Sequence, residues 1–367
     1  MPSKKGKNKA AAAGAAPTPA LPQLPQHIEE IEPGIAIEDD MDPSKFPTAP
    51  SIGLSVVGFC GVDDSVCIQT VCELSQEYSF IEWGVLLHPE RQGKPRYASI
   101  QWLHRLRDEV ERRQQKALCI KSKDQVATRG SNMAGPWSSS LGKNKSTSYS
   151  IRLAAHLGGD YCLQALRGEG GFIKNTLVEQ LGFTRIQLNP TKPNGVSETS
   201  LRKYLESFRQ LAVSMPDIQF ILQVNRQTKD LAFPLMDDPL PNLAFLYDSS
   251  MGCGRTPSRR PVPIGHPGVH IGYAGGLGPH NLRDELRKIT TAVMNSQQRG
   301  AGCEFINALA NGMDLPQMEP QERTIWIDME SSLRRVDPEA KTDVFDIDQC
   351  NRVIGQLCDL GVLPADE

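Results

Sequence analysis

Short apolar runs recur along the chain, and amphipathic segments separate most of them. A run of four to eight apolar residues indicates a buried strand, whereas apolar residues spaced three and four apart indicate a helix. Strands that alternate with helices are typical of parallel sheets. The eight predicted strands are residues 54–60, 80–87, 151–157, 185–189, 218–224, 243–248, 270–276 and 324–329.

Most of the segments between these runs carry helical spacing. Eight strand and helix repeats favour a closed barrel over an open sheet, because closure leaves no strand edge unpaired. The sequence therefore predicts an α/β fold, a (β/α)8 TIM barrel, over residues 51–363. The predicted helices are residues 64–78, 99–113, 175–182, 197–215, 279–298 and 350–361.

Three segments interrupt this pattern. Residues 1–50 join a short basic run to an Ala/Pro/Gln-rich stretch and an acidic stretch, so we expect a disordered N-terminal arm with too little apolar surface to fold. Residues 117–150 and 299–322 precede strands 3 and 8, and we expect surface loop insertions there. The first insertion should open at the amino-terminal face of the barrel, opposite the strand ends that carry chemistry.

Composition narrows the classes of function. The formal net charge is -3, and 23% of the residues are charged, which predicts neither broad nucleic-acid binding nor attachment to an anionic membrane. No apolar run approaches the ~20 residues of a membrane span. The nine cysteines form no CxxC pair, so we expect reduced thiols and a cytoplasmic location. The oligomeric state stays open.

Two strand ends carry groups that can move protons. Cys60 ends the first apolar run and Asp248 ends the sixth. All strand ends of a barrel meet at one mouth, so this thiol and this carboxylate are candidates for a base and an acid. The base needs a thiol pKa lowered by nearby positive charge, and the acid needs a carboxyl pKa raised by burial. An inert buried cysteine is the alternative.

Candidate anion donors follow the same strand ends. Arg96 lies in a turn after the second strand and offers a planar fork to a carboxylate or phosphate, although a surface arginine is the alternative. Arg255 lies in a glycine-rich turn after the sixth strand. Backbone amides in such turns can bind phosphate, and the alternative is a tight turn between a strand and a helix that binds no ligand. The glycines of these turns are Gly252, Gly254, Gly275 and Gly276.

Two other chemistries lack a motif. The spacing of Cys60, Cys67 and Cys72 matches no zinc site, and neither does the pair His266 and His270. A GxSxG nucleophile elbow is also missing from the sequence. We therefore expect no metal site and no serine hydrolase.

Five segments, taken together, resemble phosphoribosylanthranilate isomerase, a (β/α)8 enzyme of tryptophan biosynthesis. Their order and their barrel positions agree over about residues 54–360. They are Phe59-Cys60-Gly61, Lys94-Pro95-Arg96-Tyr97-Ala98-Ser99, Leu246-Tyr247-Asp248, Gly252-Cys253-Gly254-Arg255-Thr256 and Ala274-Gly275-Gly276-Leu277-Gly278-Pro279-His280-Asn281.

The resemblance implies an Amadori rearrangement, in which an aminoaldose ribose phosphate becomes an aminoketose. By this analogy Asp248 protonates the furanose ring oxygen and Cys60 removes the C2 proton, while Arg96 helps to bind the phosphorylated substrate. No cofactor and no metal are implied. The further substrate-binding residues are Gln187, Asn189 and Arg255, and the phosphate-binding residues are Gly252, Gly254, Gly275, Gly276 and Ser331.

This chain also departs from the family pattern. Asn189 stands where the fourth strand often has histidine, and Glu330 and Ser332 replace a serine and a glycine after the eighth strand. A carboxylate and the loss of a glycine both disfavour phosphate there. Two alternatives therefore stay open: an isomerase acting on a different phosphoribosyl-amine, and a non-catalytic barrel that binds a phosphorylated metabolite or a protein partner.

Overall fold

A computed structural model of the 367-residue chain describes residues 53–129, 149–197, 199–264, 269–310 and 325–362. The predicted arm at 1–50 lies outside the described residues. So do residues 130–148 and 311–322 of the two predicted insertions.

Eight parallel strands pair in chain order, and β8 closes the sheet by pairing with β1. The predicted α/β fold, a (β/α)8 barrel, is confirmed, and each strand falls within its predicted run. The strands are β1 Leu54–Cys60, β2 Ile81–Leu87, β3 Arg152–Leu157, β4 Arg185–Leu188, β5 Gln219–Val224, β6 Leu243–Tyr247, β7 His270–Tyr273 and β8 Ile325–Met329.

Helices follow the strands around the barrel. None of those in the described ranges is both long enough and apolar enough to cross a membrane. The α-helices are α1 Ile68–Glu77, α2 Ile100–Arg129, α3 Gly159–Leu166, α4 Leu205–Ser214, α5 Lys229–Asp237, α6 Leu282–Ala310 and α7 Ile347–Leu360, with a π-helix at Ile173–Gln180 and 3₁₀ turns at Lys192–Asn194 and Arg202–Tyr204.

The helices differ from the prediction in two ways. Helices α3 and α5 were not predicted, because they have 8 and 9 residues and α5 contains Pro234, so neither gives a long periodic pattern. Helices α2 and α6 continue into the predicted insertions, as far as Arg129 and Ala310. Residues 117–129 contain neither glycine nor proline, so nothing in that sequence ends the helix.

A hairpin after β8 is a further element that periodicity did not predict. The 3₁₀ turn Ser331–Leu333 leads into β9 Arg334–Asp337, which pairs antiparallel with β10 Thr342–Phe345. The register sets Arg334 opposite Phe345 and Val336 opposite Asp343. Both strands have only four residues, which is too short for a clear alternating pattern.

Polar side chains contribute to the inside of the barrel together with a small apolar cluster. Arg185 pairs with Glu82 at 2.6 Å, and its guanidinium lies 4.9 Å from the ring centroid of Trp326. A buried ion pair is tolerated when its hydrogen bonds are made, and Arg185 also donates to Gln219 at 2.7 Å. The apolar cluster comprises Val56, Ile221, Ala244, Leu246, Ala274 and Trp326.

Candidate functional site

Two glycines inside strands make room for the central side chains of the site. Gly58 of β1 pairs in register with Asp328 of β8, and a Cβ at Gly58 would collide with the Asp328 carboxylate. Gly84 of β2 pairs with Cys60, and a Cβ there would collide with the Cys60 sulfur and lie 3.0 Å from Nε2 of His156. The missing side chains therefore let groups from β1, β3 and β8 meet at the carboxyl ends of the strands.

Cys60, His156 and Asp328 form the resulting cluster. The Cys60 thiol donates to Oδ1 of Asp328 at 2.5 Å, and its sulfur lies 3.8 Å from Nε2 of His156. Nδ1 of His156 is 3.2 Å from Nε2 of Gln187, which also donates to Oδ1 of Asn189 at 2.9 Å. The predicted substrate-binding residues Gln187 and Asn189 are thus joined to Cys60 through a buried imidazole.

Burial sets the charge states of this cluster. It raises the pKa of the Cys60 thiol well above its ordinary value, and the neighbouring Asp328 raises it further. Burial also raises the pKa of Asp328 to about 7 and lowers the pKa of His156 to about 3. The thiol pKa therefore moves away from the value that an independent thiolate base requires.

The guanidinium of Arg96, predicted to bind an anion, contacts two carboxylates of this chain. Its Nε donates to Asp343 at 2.7 Å, and its Nη1 donates to Glu330 at 3.2 Å. Its backbone has φ 75°, an uncommon conformation for a residue other than glycine, and its amide donates to Oδ2 of Asp63 at 2.6 Å. The Arg96 guanidinium, which the sequence predicts to bind a substrate anion, is thus already bound to carboxylates of the same chain.

Arg334 completes this ion network behind the strand ends. Its side chain is fully buried and contacts Asp63 at 2.8 Å and Asp343 at 2.5 Å, while it also donates to the carbonyl of Gly61 at 2.6 Å. Glu330, whose negative charge disfavours phosphate binding after β8, forms an ion pair with Arg96. The network therefore ties the β9–β10 hairpin to the loops after β1 and β2.

Asp248 follows β6 and is buried among four donors. Oδ1 accepts from the amide and the hydroxyl of Ser250 at 3.0 and 2.6 Å, and Oδ2 accepts from Gln223 at 2.6 Å and from the amide of Gly252 at 2.7 Å. A carboxylate has about four acceptor sites, so these contacts fill them. Asp248 and Cys60 each have their own partners and make no hydrogen bond to one another.

The glycine-rich turns after β6 and β7 pack closely against one another. Gly276 approaches Thr256 so tightly that a Cβ would collide with it, and a Cβ at Gly254 would lie 2.6 Å from Oγ of Ser331. Gly275 lies beside Asp248 in the same way. The predicted phosphate-binding residues thus share one corner of the mouth, next to the exposed Arg255. Within that corner, the amide of Gly252 is already bonded to Asp248.

Sequence reasoning misses the roles of His156 and Asp328. In the sequence, His156 lies in the third apolar run and Asp328 in the eighth, and neither was predicted as a site residue. Gly58 and Gly84 are the available signal, because a glycine inside a strand marks a close approach of another group. Neither glycine identifies which side chain approaches, since that depends on the register between strands.

One open groove lies away from this cluster. It has a volume of about 440 Å³ and runs between α1 and α2, where Cys67, Trp102, Asp108 and Arg112 line it. This groove lies on the helical layer outside the barrel. The polar groups described above instead gather at the strand ends, so we assign the candidate active site to the mouth.

Comparison with known proteins does not identify a family for this chain. No family model matches the chain, and no curated protein matches it. A phosphoribosyl anthranilate isomerase from Thermus thermophilus aligns with 83% of this chain and 99% of its own, at 13% sequence identity and a TM-score of 0.39. Similarity at that level carries no argument about the site. The strand register and the cluster define a (β/α)8 barrel with a buried thiol, imidazole and carboxylate at its mouth.

Proposed function

We propose that this barrel is a sugar-phosphate isomerase that performs an Amadori rearrangement by acid and base catalysis. The observation that carries the proposal is the hydrogen bond of 2.5 Å from the Cys60 thiol to Asp328 at the mouth. A thiol with a carboxylate at this distance forms a unit that can take a proton from carbon and pass a proton on.

In the proposed reaction Cys60 and Asp328 act together. Asp328 accepts the thiol proton, and the resulting thiolate removes the proton from C2 of the ring-opened Schiff base. The product enolamine then tautomerises to the aminoketose, and the proton held by Asp328 returns to the solvent or to the product. This scheme keeps the role that the resemblance gave to Cys60 and adds the acceptor that a buried thiol needs.

Asp248 is the proposed acid that opens the ring. Its two oxygens have four donors, so one contact must yield before a substrate can receive a proton. The Ser250 hydroxyl is the contact that can do so, because a hydroxyl rotates whereas a backbone amide does not. Oδ1 would then have to take a proton from solvent before it could pass that proton to the furanose oxygen.

The corner formed by the turns after β6, β7 and β8 is the proposed phosphate site. Gly254, Gly275 and Ser331 bring backbone and hydroxyl donors there, and Arg255 is exposed beside them. Substrate binding by Arg96 requires a further step, because a substrate anion has to replace Asp343 on its guanidinium. Gln187 and Asn189 would bind the rest of the substrate.

Turnover of phosphoribosylanthranilate by the purified protein tests the proposal. We expect turnover by the wild type, and rescue of a tryptophan-auxotrophic strain that lacks the isomerase. Cys60→Ala should reduce turnover by about 100-fold or more, as loss of an acid or base group does. Cys350→Ala, which removes a buried thiol from α7, should retain activity. Absence of turnover and of rescue would refute this assignment.

A non-catalytic barrel is the second candidate, and one observation favours it. Both the Arg96 guanidinium and the Asp248 carboxylate are satisfied by intramolecular partners, which a ligand-binding or scaffold protein tolerates better than an enzyme. Saturable binding of a reduced analogue of the aminoketose product, without turnover of the substrate, would support this candidate.

A further inference from the structure

Cys60, His156 and Asp328 offer three different metal ligands from three separate strands. Their sulfur, imidazole nitrogen and carboxylate oxygen all lie within 4.8 Å of one another. The three side chains project from β1, β3 and β8, which are parts of one closed barrel. Ligands held by strands keep their positions better than ligands on loops.

The distances suit a small tetrahedral ion after one adjustment. Zinc bonds of about 2.0–2.3 Å at tetrahedral angles place neighbouring ligand atoms roughly 3.3–3.7 Å apart. The separation between the Cys60 sulfur and Nε2 of His156 is 3.8 Å, which fits, whereas the thiol and Asp328 are only 2.5 Å apart. The carboxylate would have to move by about 1 Å to accept a zinc-sized ion.

The contact between Cys60 and Asp328 brings two acidic groups together on neighbouring strands. Two acidic groups can lie this close because a proton sits between them. Glu82 and Glu330 also face the pair, and each is ion-paired with an arginine, Arg185 and Arg96 respectively. Glu82 is buried, and its Oε2 has no hydrogen-bond partner. A divalent cation would replace the shared proton.

The surroundings of His156 also suit metal binding. A ligating histidine binds through one ring nitrogen and is held by a hydrogen bond at the other. Nε2 of His156 faces Cys60, while Nδ1 faces the side-chain amide of Gln187 at 3.2 Å. Half a turn of that amide presents its oxygen to a proton on Nδ1, which frees Nε2 for a metal. The Asn189 amide, which accepts from Gln187 at 2.9 Å, turns with it so that their hydrogen bond is kept.

The geometry points to a transition-metal site of the zinc class formed by Cys60, His156 and Asp328. On binding, the divalent ion forms bonds to Sγ, Nε2 and Oδ1, and the proton shared by the thiol and the carboxylate leaves to solvent. A thiolate, imidazole and carboxylate set selects Zn²⁺ or Co²⁺ over Mg²⁺ or Ca²⁺. Three protein ligands leave a fourth position open for water or an inhibitor.

This inference goes beyond the proposed function, because the site can bind a metal whether or not the barrel turns over a substrate. Metal on Cys60 and Asp328 would remove the proposed proton unit, so Zn²⁺ should inhibit any isomerase activity. Metal binding can be measured without substrate. Failure of one proposal is therefore distinguishable from failure of the other.

Titration of the reduced, full-length protein with CoCl₂ tests the site, because a cobalt thiolate absorbs in the near ultraviolet. We expect a charge-transfer band that saturates at one equivalent and is displaced by ZnCl₂. Cys60→Ser should abolish the band, and Gln187→Leu should weaken cobalt affinity by about 10–100-fold. Cys67→Ser, which changes an exposed thiol, should leave the band unchanged.

A second variant protects the test against a folding defect. Asp328→Asn is nearly isosteric and should lower cobalt affinity by at least about 10-fold while the circular dichroism spectrum stays native. The inference is overturned if the wild type gives no thiolate band with excess CoCl₂. It is also overturned if Cys67→Ser removes the band while the folded Asp328→Asn binds cobalt as the wild type does.

Discussion

The thiol of Cys60 and the carboxylate of Asp328 meet across the pairing of β1 with β8, 2.5 Å apart, above the bare backbone of Gly58. Both groups are acidic, and the environment lets neither ionise freely. Burial, and after it the neighbouring Asp328, raises the pKa of the Cys60 thiol, so the thiol cannot act as an independent base. Their contact also makes Asp328 as central to the candidate site as Cys60, which the sequence alone had singled out.

The free energy of unfolding should depend on pH through the titration of Asp328. Burial raises its pKa to about 7 in the folded chain, against roughly 3.9 in an unfolded chain. Between these values the folded state keeps a proton that the unfolded state has lost, so the stability from this group falls as pH rises from about 4 to about 7. Asp328→Asn removes that dependence.

Urea unfolding at pH 5 and pH 8, with a chelator present, measures this effect. Between pH 5 and pH 8 the wild type should lose on the order of 2 kcal/mol more of its free energy of unfolding than Asp328→Asn does. Equal changes in the two proteins would show that Asp328 titrates as an ordinary surface carboxylate.

The buried guanidinium of Arg334 should be a strong determinant of stability. Arg334→Met removes the guanidinium that contacts Asp63 at 2.8 Å and Asp343 at 2.5 Å, which, among the described residues, leaves the buried Asp63 without an ion-pair partner and Asp343 with Arg96 alone. Removing one partner of a buried ion pair costs about 3–5 kcal/mol. We therefore expect a loss of that size in the free energy of unfolding, measured in urea.

The matched control for Arg334 is its neighbour in the same hairpin. Arg335 is exposed, and Arg335→Met should change the free energy of unfolding by less than about 0.5 kcal/mol. If the two variants lose similar stability, the hairpin as a whole, and not the buried ion network, is what the substitutions disturb.

Gly84 should tolerate no side chain. In Gly84→Ala the new methyl group would overlap the Cys60 sulfur and lie 2.9 Å from its Cβ, and overpacking of this kind costs about 1–3 kcal/mol. A Cβ at Gly355 in α7 would meet nothing within 4 Å, so Gly355→Ala should stabilise the helix by up to about 1 kcal/mol. Thermal unfolding of both variants compares the two predictions, and equal melting temperatures would contradict them.

Cysteine reactivity should follow position in the fold. Cys67 is exposed at the amino end of α1, where the backbone amides of Thr70 and Gln69 lower the pKa of its thiol. A lowered thiol pKa increases the thiolate fraction and speeds alkylation. With limiting iodoacetamide at neutral pH, mass spectrometry should find Cys67 modified well before the buried Cys60 and Cys350. Faster labelling of Cys60 would mean that the mouth opens readily.

The barrel was predictable because its signal is local. Each apolar run, such as 54–60 or 243–248, is followed by a turn, and eight repeats of that unit leave little choice of fold. The short helices α3 and α5 were missed because eight or nine residues give too few turns to establish a period. The hairpin after β8 was missed for the same reason.

The candidate site was only half predictable, because its contacts depend on register between distant strands. The sequence identified Cys60 and Asp248 as strand-end groups, but the partner of Cys60 lies 268 residues further along the chain. Arg96 shows the opposite difficulty. The turn that contains Arg96 is recognisable in the sequence. The hairpin that supplies Asp343 has no clear alternation of polar and apolar residues, so the ion pair between Arg96 and Asp343 was not predictable.

Initial rates with phosphoribosylanthranilate, for the wild type, Cys60→Ser and Asp328→Asn, test the central claim most directly. If the thiol and the carboxylate act as one proton-transferring unit, the wild type turns over the substrate and each variant loses at least about 100-fold in kcat. The double variant should then be little worse than either single one, as expected of residues that act together. Wild-type rates retained by Asp328→Asn, or no turnover by the wild type, would contradict the account.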